Sequence, residues 1–209
     1  MFTLENANIA ENSLDNAPDF IACWNQFYEY HIRIHGGDID VDYVAELGIG
    51  HELTEENCRR LLRWKDPKFL THKIQSGPNQ GQLNPRVERT TAVLPQINLF
   101  RRDRLSEDDF KICTGNVFPT GLVWQVFLFH IAKPHIYPIA DQHVFRVFCL
   151  HRDVASPRNW DFYQQYREYF GQIAERCGIA LLPANVHALK RIDNALVVFG
   201  KFVKAYYRQ

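Results

Sequence analysis

Apolar residues recur at the three- and four-residue spacing of an α-helix along nearly the whole chain, and this pattern limits the possible folds more than any other feature. Helices are predicted over residues 20–34, 54–64, 85–102, from 106 onward, 122–132, 142–152, 160–177 and from 186 or 188 to the C-terminus. Strand-like alternation is confined to a brief stretch at residues 37–44. The sequence therefore predicts an all-α protein, and its 209 residues suit one compact domain or two small lobes sharing a core.

Capping residues and helix breakers predict where these helices begin and end. Thr54 is typical of an N-cap, and Ser106 precedes three acidic residues that suit the electropositive start of a short helix. Pro95 predicts a kink or a late start within the helix over residues 85–102. Residues 76–85, rich in Gly, Pro and Asn, form the clearest predicted loop.

Composition and hydropathy exclude several classes of protein. Aromatic residues make up 13% of the chain, which is too many for a disordered protein. The longest strongly apolar stretch, residues 122–132, is well short of the about 20 residues that a membrane span needs. The first twenty residues lack the basic-then-apolar pattern of a signal peptide. We therefore expect a cytoplasmic protein (nucleoid-associated if bacterial) with no membrane partner.

The cysteines and histidines do not form a recognisable metal-binding pattern. The five cysteines are scattered, odd in number and without a C-x-x-C pair, which argues against a disulfide scaffold, a zinc ribbon and an iron–sulfur cluster. Four histidines in the middle of the chain, spaced five and eight residues apart, fit no helical ligand pair; they are His130, His135, His143 and His151. We expect core or surface histidines and no bound metal.

Charge is distributed unevenly along a chain whose net charge is zero. The first fifty residues contain nine acidic residues and one basic residue, and the remainder contains 23 basic and 15 acidic residues. From residue 181 onward five basic residues face a single acidic one. Such a basic stretch is able to bind a phosphate backbone, and it is equally compatible with a solvated helix face.

One block of sequence carries the most chemical information. Residues 118–147 combine a turn, an apolar helix, a proline-bounded connector and an acid at the start of a second helix. Residues 138–147, PIADQHVFRV, resemble the D-x-H-h-x-R-type segment (h, apolar) of the helix-hairpin-helix DNA glycosylase superfamily, the endonuclease III-like family. Residues 196–202, LVVFGKF, are similar to that family's late L-x-x-x-G-[RK]-[YF] helix. Together the motifs cover roughly a fifth of the chain.

The resemblance implies specific roles for the motif residues. Asp141 matches the essential carboxylate, which stabilises the positive charge that builds on the sugar or activates a water as the N-glycosidic bond breaks. A helix N-terminus would help to keep that carboxylate ionised. His143 matches a position that contacts a phosphate, and Arg146 reaches a phosphate or pins the helix instead. Lys201, the basic residue of the late motif, completes the expected DNA-binding residues of this part of the chain.

The sequence also departs from the family pattern. The family's hairpin is usually a glycine-rich L-P-G-h-G, whose N–H groups grip a DNA phosphate; here Thr120 and Gly121 take its place, and Pro119 has no N–H. The Schiff-base lysine of lyase-type members is expected about 18 residues before the aspartate, where this chain has Val123. The four cysteines that follow the late motif in many relatives are missing as well. These departures predict a monofunctional glycosylase without an iron–sulfur cluster.

The family's layout implies two helical lobes around a hairpin-like element. One is a helical barrel over residues 35–133, and the other combines residues 1–34 with residues 134–209. Asp141 would then face a cleft between the lobes. We therefore predict a DNA-binding N-glycosylase that removes a damaged or mismatched base from double-stranded DNA. The hydrolysis itself needs no metal or organic cofactor.

Each assignment has an alternative that the sequence leaves open. Asp141 is also a favoured N-cap residue, and the two roles are compatible. Trp124 and Tyr137 either stack on an everted base or belong to the core. The whole chain is either an enzyme or a glycosylase-like scaffold that binds nucleic acid or a protein partner without catalysis. A helical protein with an accidental motif match is the third alternative.

Overall fold

The computed structural model describes residues 16–35, 39–48, 50–65, 86–153, 155 and 159–206. Within these ranges the chain forms ten α-helices, one short 3-10 turn and no strand, which confirms the all-α prediction. None of the helices in this described portion is long and apolar enough to cross a membrane. The loop predicted at residues 76–85 lies outside the described residues.

In chain order, the helices of the described residues are α1 (Ala17–His35), α2 (Ile39–Glu46), α3 (Glu55–Lys65), α4 (Arg86–Ala92), α5 (Leu94–Arg101), α6 (Glu107–Val117), α7 (Leu122–Ala132), α8 (Gln142–Arg152), α9 (Trp160–Arg176) and α10 (Val186–Tyr206). The 3-10 turn, Pro183–Asn185, directly precedes α10.

Local sequence signals account for most helix ends. The bounds of α7 and α8 agree with the prediction. Ser106 Oγ accepts a hydrogen bond of 3.1 Å from the N–H of Asp109, as expected for an N-cap. The predicted helix is interrupted at Val93, and a separate helix begins at Leu94. Pro95 therefore lies in a first helical turn, where the N–H group that proline lacks would have no partner within the helix. Within the brief alternation at residues 37–44, the described residues 39–44 form no strand, because residues 39–46 belong to α2.

The chain divides into two compact units. We call Met1–Gly37 together with Pro134–Gln209 the terminal unit, and Asp38–Lys133 the central unit. The central unit has an aromatic core in which three rings contact one another: the centroid of Phe110 lies 4.4 Å from that of Phe100 and 4.7 Å from that of Phe129, and the last two are 5.3 Å apart. The C-terminal half of α7 is buried there, which explains why all of its residues except His130 are apolar.

A buried arginine joins two segments of the central unit. The guanidinium of Arg101 donates to the carbonyl oxygen of Ile131 (2.7 Å) near the end of α7 and to those of Gly48 (2.6 Å) and His51 (3.2 Å) after α2. The last carbonyls of a helix have no partner within the helix, so these hydrogen bonds satisfy groups that burial would otherwise leave unpaired. Burial in turn lowers the pKa of Arg101.

The terminal unit is organised around α10, which packs against α1 and α8. The ring of Phe199 on α10 lies 5.2 Å from Phe20 and 5.0 Å from Trp24 on α1, so aromatic contacts fill this side of the helix. The hydroxyl of Tyr163 on α9 donates to the carbonyl oxygen of Pro138 (3.0 Å), just before α8. Together these contacts set the position of the α8 N-terminus.

The backbones of α10 and α8 approach so closely that only glycine fits at Gly200. A Cβ atom placed there would lie 2.2 Å from the carbonyl oxygen of His143. Beside this contact the guanidinium of Arg146 donates to the carbonyl oxygen of Gly200 (2.9 Å). The glycine of the late sequence motif and the arginine of the earlier one therefore form a single contact between the two helices.

We predict that Gly200→Ala lowers the free energy of unfolding. Alanine adds about 1 kcal/mol of helix propensity, but overpacking against backbone typically costs roughly 1–3 kcal/mol and here exceeds that gain. Urea unfolding followed by circular dichroism measures the difference. Gly171→Ala is the matched control, because a Cβ at this α9 position would meet only Leu181, at an ordinary 3.8 Å. Equal or higher stability of Gly200→Ala would contradict the close approach.

Candidate functional site

Asp141 caps the N-terminus of α8 with one carboxylate oxygen. Its backbone is extended (φ −147°, ψ 176°), and Oδ1 accepts hydrogen bonds from the N–H groups of His143 (2.6 Å) and Val144 (3.0 Å). Oδ2 accepts no hydrogen bond from the residues that the structure describes, and the side chain is partly exposed. The cap therefore fixes the orientation of the carboxylate and leaves its second oxygen available for chemistry.

The contacts of His143 define its protonation state. Its Nδ1 lies 3.1 Å from Nη1 of Arg146, and because a guanidinium only donates, Nδ1 must accept. The proton of the neutral ring is thus assigned to Nε2. Burial lowers the pKa of His143 below its usual value, the nearby cations Arg146 and Lys201 lower it further, and the carboxylate of Asp141 and a hydrogen bond with the backbone of Gly200 oppose them. At neutral pH the ring is therefore uncharged.

The terminal unit brings four of the predicted site residues together. Arg146 donates a hydrogen bond to the carbonyl oxygen of Gly200 and so links α8 to α10. Of the two roles that the sequence left open for Arg146, a phosphate contact and a contact that holds the helix in place, this is the second. Lys201 follows Gly200, is exposed, and is close enough to His143 to influence its pKa. The carboxylate of Asp141, the Nε2–H of His143 and the ammonium of Lys201 therefore belong to one small region.

The predicted hairpin residues belong to the central unit. Thr120 is exposed, and the N–H of Gly121 donates to the carbonyl oxygen of Phe118 (3.1 Å). The same carbonyl accepts a hydrogen bond of 2.7 Å from the side chain of Gln125. The turn before α7 is thus closed by its own hydrogen bonds, and one of them uses the N–H that a phosphate-binding hairpin would offer.

The two aromatic residues considered for a base pocket have core-like contacts. Trp124 is partly buried and lies 6.0 Å from the ring of Phe118, in a stacked arrangement. Tyr137 is only 3% exposed, and the guanidinium of Arg167 lies 5.0 Å from its ring centroid. Among the sequence alternatives, these contacts favour packing for Tyr137, and they identify Arg167 as a cation that sequence reasoning had not singled out.

A buried polar cluster on α10 includes one residue of the basic stretch that begins at residue 181. Lys190 is only 8% exposed, and its ammonium donates to the carboxylate of Asp193 (2.7 Å) and to the side-chain oxygen of Asn194 (2.5 Å). The sequence contained a signal for this cluster. Asp193 and Asn194 follow Lys190 by three and four residues, and residues at these spacings are neighbours on a helix. Lys190 therefore does not contribute to a basic surface.

No group of three potential ligands among the described His, Cys, Asp and Glu residues is arranged to hold a metal ion. None of the five cysteines is paired in a disulfide. Cys58 is fully buried, and burial raises its pKa to about 12 in spite of nearby Arg101. This thiol therefore stays protonated and unreactive at neutral pH.

We predict that His143 titrates below the 6.5 of an unperturbed histidine. Lys201→Ala should raise the pKa of His143, because it removes a positive charge that opposes protonation. Histidine NMR titration with 15N detection measures this pKa and also reports the Nε2–H tautomer. Arg191→Ala on the same helix is the control, because Arg191 is exposed and is not among the charges that act on His143. A pKa above 6.5, or equal effects of the two substitutions, would contradict the arrangement.

Comparisons of the chain with protein-family models, with curated proteins and with solved structures found no match. The resemblance to helix-hairpin-helix glycosylases thus rests on the two sequence motifs alone.

Proposed function

We propose that the chain is a DNA-binding, base-excision N-glycosylase of the monofunctional type. The observation that carries this proposal is the carboxylate of Asp141, which is held by α8 through one oxygen and offers the other. A catalytic carboxylate needs this combination of fixed orientation and an available oxygen. His143 and Lys201 lie in the same region of the terminal unit, where they supply donors for a phosphate.

The chemistry follows from the charge that develops during hydrolysis. As the bond between base and sugar breaks, its electrons leave with the base, and positive charge accumulates on the sugar ring. The ionised carboxylate of Asp141 stabilises that charge and accepts a proton from the attacking water, whose oxygen bonds to the sugar carbon. The departing base takes up a proton from solvent. Val123 at the lyase position provides no amine, so hydrolysis stops at the abasic site.

DNA binding is assigned to hydrogen-bond donors around the start of α8 and to Lys201. The Nε2–H of His143 is a neutral donor, and the ammonium of Lys201 adds a charge that attracts phosphate at longer range. Phosphate contacts of this kind position a duplex without reading its sequence. They suit an enzyme that must bind many sequences and act on one altered nucleotide.

A non-catalytic scaffold is the second candidate, and three specific contacts favour it. One oxygen of Asp141 is used as a helix cap, the N–H of Gly121 is used within its own turn, and Arg146 is used to link two helices. A scaffold that retained the fold would keep all three contacts. It would bind nucleic acid or a protein partner without forming abasic sites.

The first test compares abasic-site formation by wild type and Asp141→Asn. A panel of duplexes containing damaged or mismatched bases is incubated with excess protein, and abasic sites are cleaved with alkali and counted. We expect wild type to act on at least one duplex and Asp141→Asn to be slower by about 100-fold or more.

Asparagine is the suitable replacement because it is also a good N-cap, so α8 should persist and DNA affinity should change little. Circular dichroism and a binding titration of the same variant provide the control. Equal inactivity of wild type and variant across the panel, with DNA binding intact, would favour the scaffold. Equal activity of the two would exclude Asp141 as the catalytic group.

The second test measures the salt dependence of DNA binding. Lys201→Ala should weaken binding to all duplexes alike and reduce the slope of log affinity against log salt concentration by about 1, because one phosphate contact is lost. Arg191→Ala removes an exposed charge from the same helix, ten positions earlier, and serves as the control. Identical slopes for wild type and both variants would remove Lys201 from the interface. Absence of DNA binding would exclude the glycosylase and leave either a scaffold that binds a protein partner or an accidental motif match.

A further inference from the structure

A short buried segment, residues 137–140, leads directly into Asp141, and we call it the connector. All four of its residues are buried, and Ile139 and Ala140 next to Asp141 are only 3% and 1% exposed. The polar groups of a buried backbone need hydrogen-bond partners within the protein. Because Asp141 follows the connector without a break, the path of the connector determines where the cap of α8 begins.

Two side chains of α9 hold the first half of the connector. The hydroxyl of Tyr163 donates to the carbonyl oxygen of Pro138 at 3.0 Å, and this hydrogen bond is buried. One turn later, the guanidinium of Arg167 lies 5.0 Å from the ring centroid of Tyr137. Residues four positions apart share one face of a helix, so a single face of α9 contacts two successive residues of the connector.

The backbone of Asp141 is therefore held on both sides along the chain. Three residues before it, Pro138 is bonded to α9, and immediately after it the N–H groups of His143 and Val144 donate to Oδ1. An N-cap requires an extended backbone, and Asp141 has φ −147° and ψ 176°. Since residues 139 and 140 are tightly buried, a shift at Pro138 would be transmitted to this backbone.

A second tyrosine of α9 offers a comparison at the other end of α8. The hydroxyl of Tyr169 is hydrogen-bonded to Nδ1 of His151, which lies in the last turn of α8. Tyr163 and Tyr169 are equally buried, at 0% and 1% exposed. Both therefore use a buried phenol to bond α9 to the chain around α8, but only the hydrogen bond of Tyr163 precedes the cap.

We propose that Tyr163 is a positioning residue for the carboxylate of Asp141, acting through its hydrogen bond to the carbonyl oxygen of Pro138. The bond keeps the connector on the path that gives Asp141 its extended backbone, so that Oδ1 caps α8 and Oδ2 keeps one orientation. Loss of the hydroxyl leaves a buried carbonyl without this donor and lets the connector move. The catalytic consequence rests on the proposed glycosylase function, whereas the effect on the cap does not.

The first arm of the test examines the cap and needs no activity. Native-state hydrogen exchange, followed by 15N NMR, reports how often each amide opens. Tyr163→Phe should speed exchange at the N–H groups of His143 and Val144 about tenfold, because the cap opens more often when the connector is released. Tyr169→Phe is the matched control and should leave these two amides unchanged. Exchange that is no faster than in wild type, equally fast in both variants, or accelerated along all of α8 would overturn the proposal.

The second arm measures kinetics on whichever duplex wild type cleaves, at a temperature where every variant is folded. Tyr163→Phe should lower kcat roughly tenfold with little change in KM, because a carboxylate that is held less firmly is in the reactive geometry less often. Tyr169→Phe should retain the kcat of wild type. A loss of stability in Tyr163→Phe with normal kcat would assign the residue a structural role and would overturn the proposal.

A double-mutant cycle tests whether Tyr163 acts through Asp141. In the Asp141→Asn background, Tyr163→Phe should have no further effect on the residual rate, because the group that the hydroxyl positions is already gone. Losses that multiply in the double variant would show that Tyr163 acts by another route and would reject the positioning role.

The two arms separate failure of the positioning role from failure of the function. Selective exchange at the cap in a protein that forms no abasic sites would support the action of Tyr163 on Asp141 and reject the glycosylase. Normal kcat in an active Tyr163→Phe variant would leave the glycosylase in place and reject the positioning role.

Discussion

The missing side chain at Gly200 is the constraint on which the candidate site depends. Because no Cβ intervenes, the backbone of α10 reaches the first turn of α8, and the carbonyl oxygen of Gly200 comes within reach of Arg146. Arg146 then fixes the ring of His143, and Lys201 is placed beside that ring by its position next to Gly200. Aromatic contacts of Phe199 with α1 hold α10 from its other side. Two short motifs, more than fifty residues apart, thus meet at one backbone contact.

Asp141 combines an observed structural role, the cap of α8, with the chemical role that we propose for it. A carboxylate at a helix start is stabilised by the helix dipole and by N–H donors, and these interactions orient it as well as keep it charged. In the terminal unit the donors take only Oδ1, and Arg146, the cation of the motif, is directed to a carbonyl and does not neutralise the carboxylate. An anion that is fixed in place without a paired cation suits stabilisation of a developing positive charge.

Local sequence signals predicted the helices of this protein well and its long-range partners poorly. Proline and capping residues gave the bounds of α7 and α8, and Pro95 indicated the separate start of α5, because these effects act within one turn. The preference of Asp for N-cap positions also indicated the cap at Asp141. The sequence did not reveal the partner of Arg146 or the burial of Lys190. Both depend on how helices pack, and helical periodicity does not encode which polar group on one helix meets which on another.

A crystal structure of the protein bound to a duplex that carries an abasic-site analogue tests the central claim most directly. The account predicts that Oδ2 of Asp141 faces the anomeric carbon of the everted sugar, and that the Nε2–H of His143 and the ammonium of Lys201 contact the flanking phosphates. It also predicts that the hydrogen bond from Arg146 to Gly200 is retained. A duplex bound elsewhere on the terminal unit, with Asp141 contacting nothing but the N–H groups of α8, would contradict it.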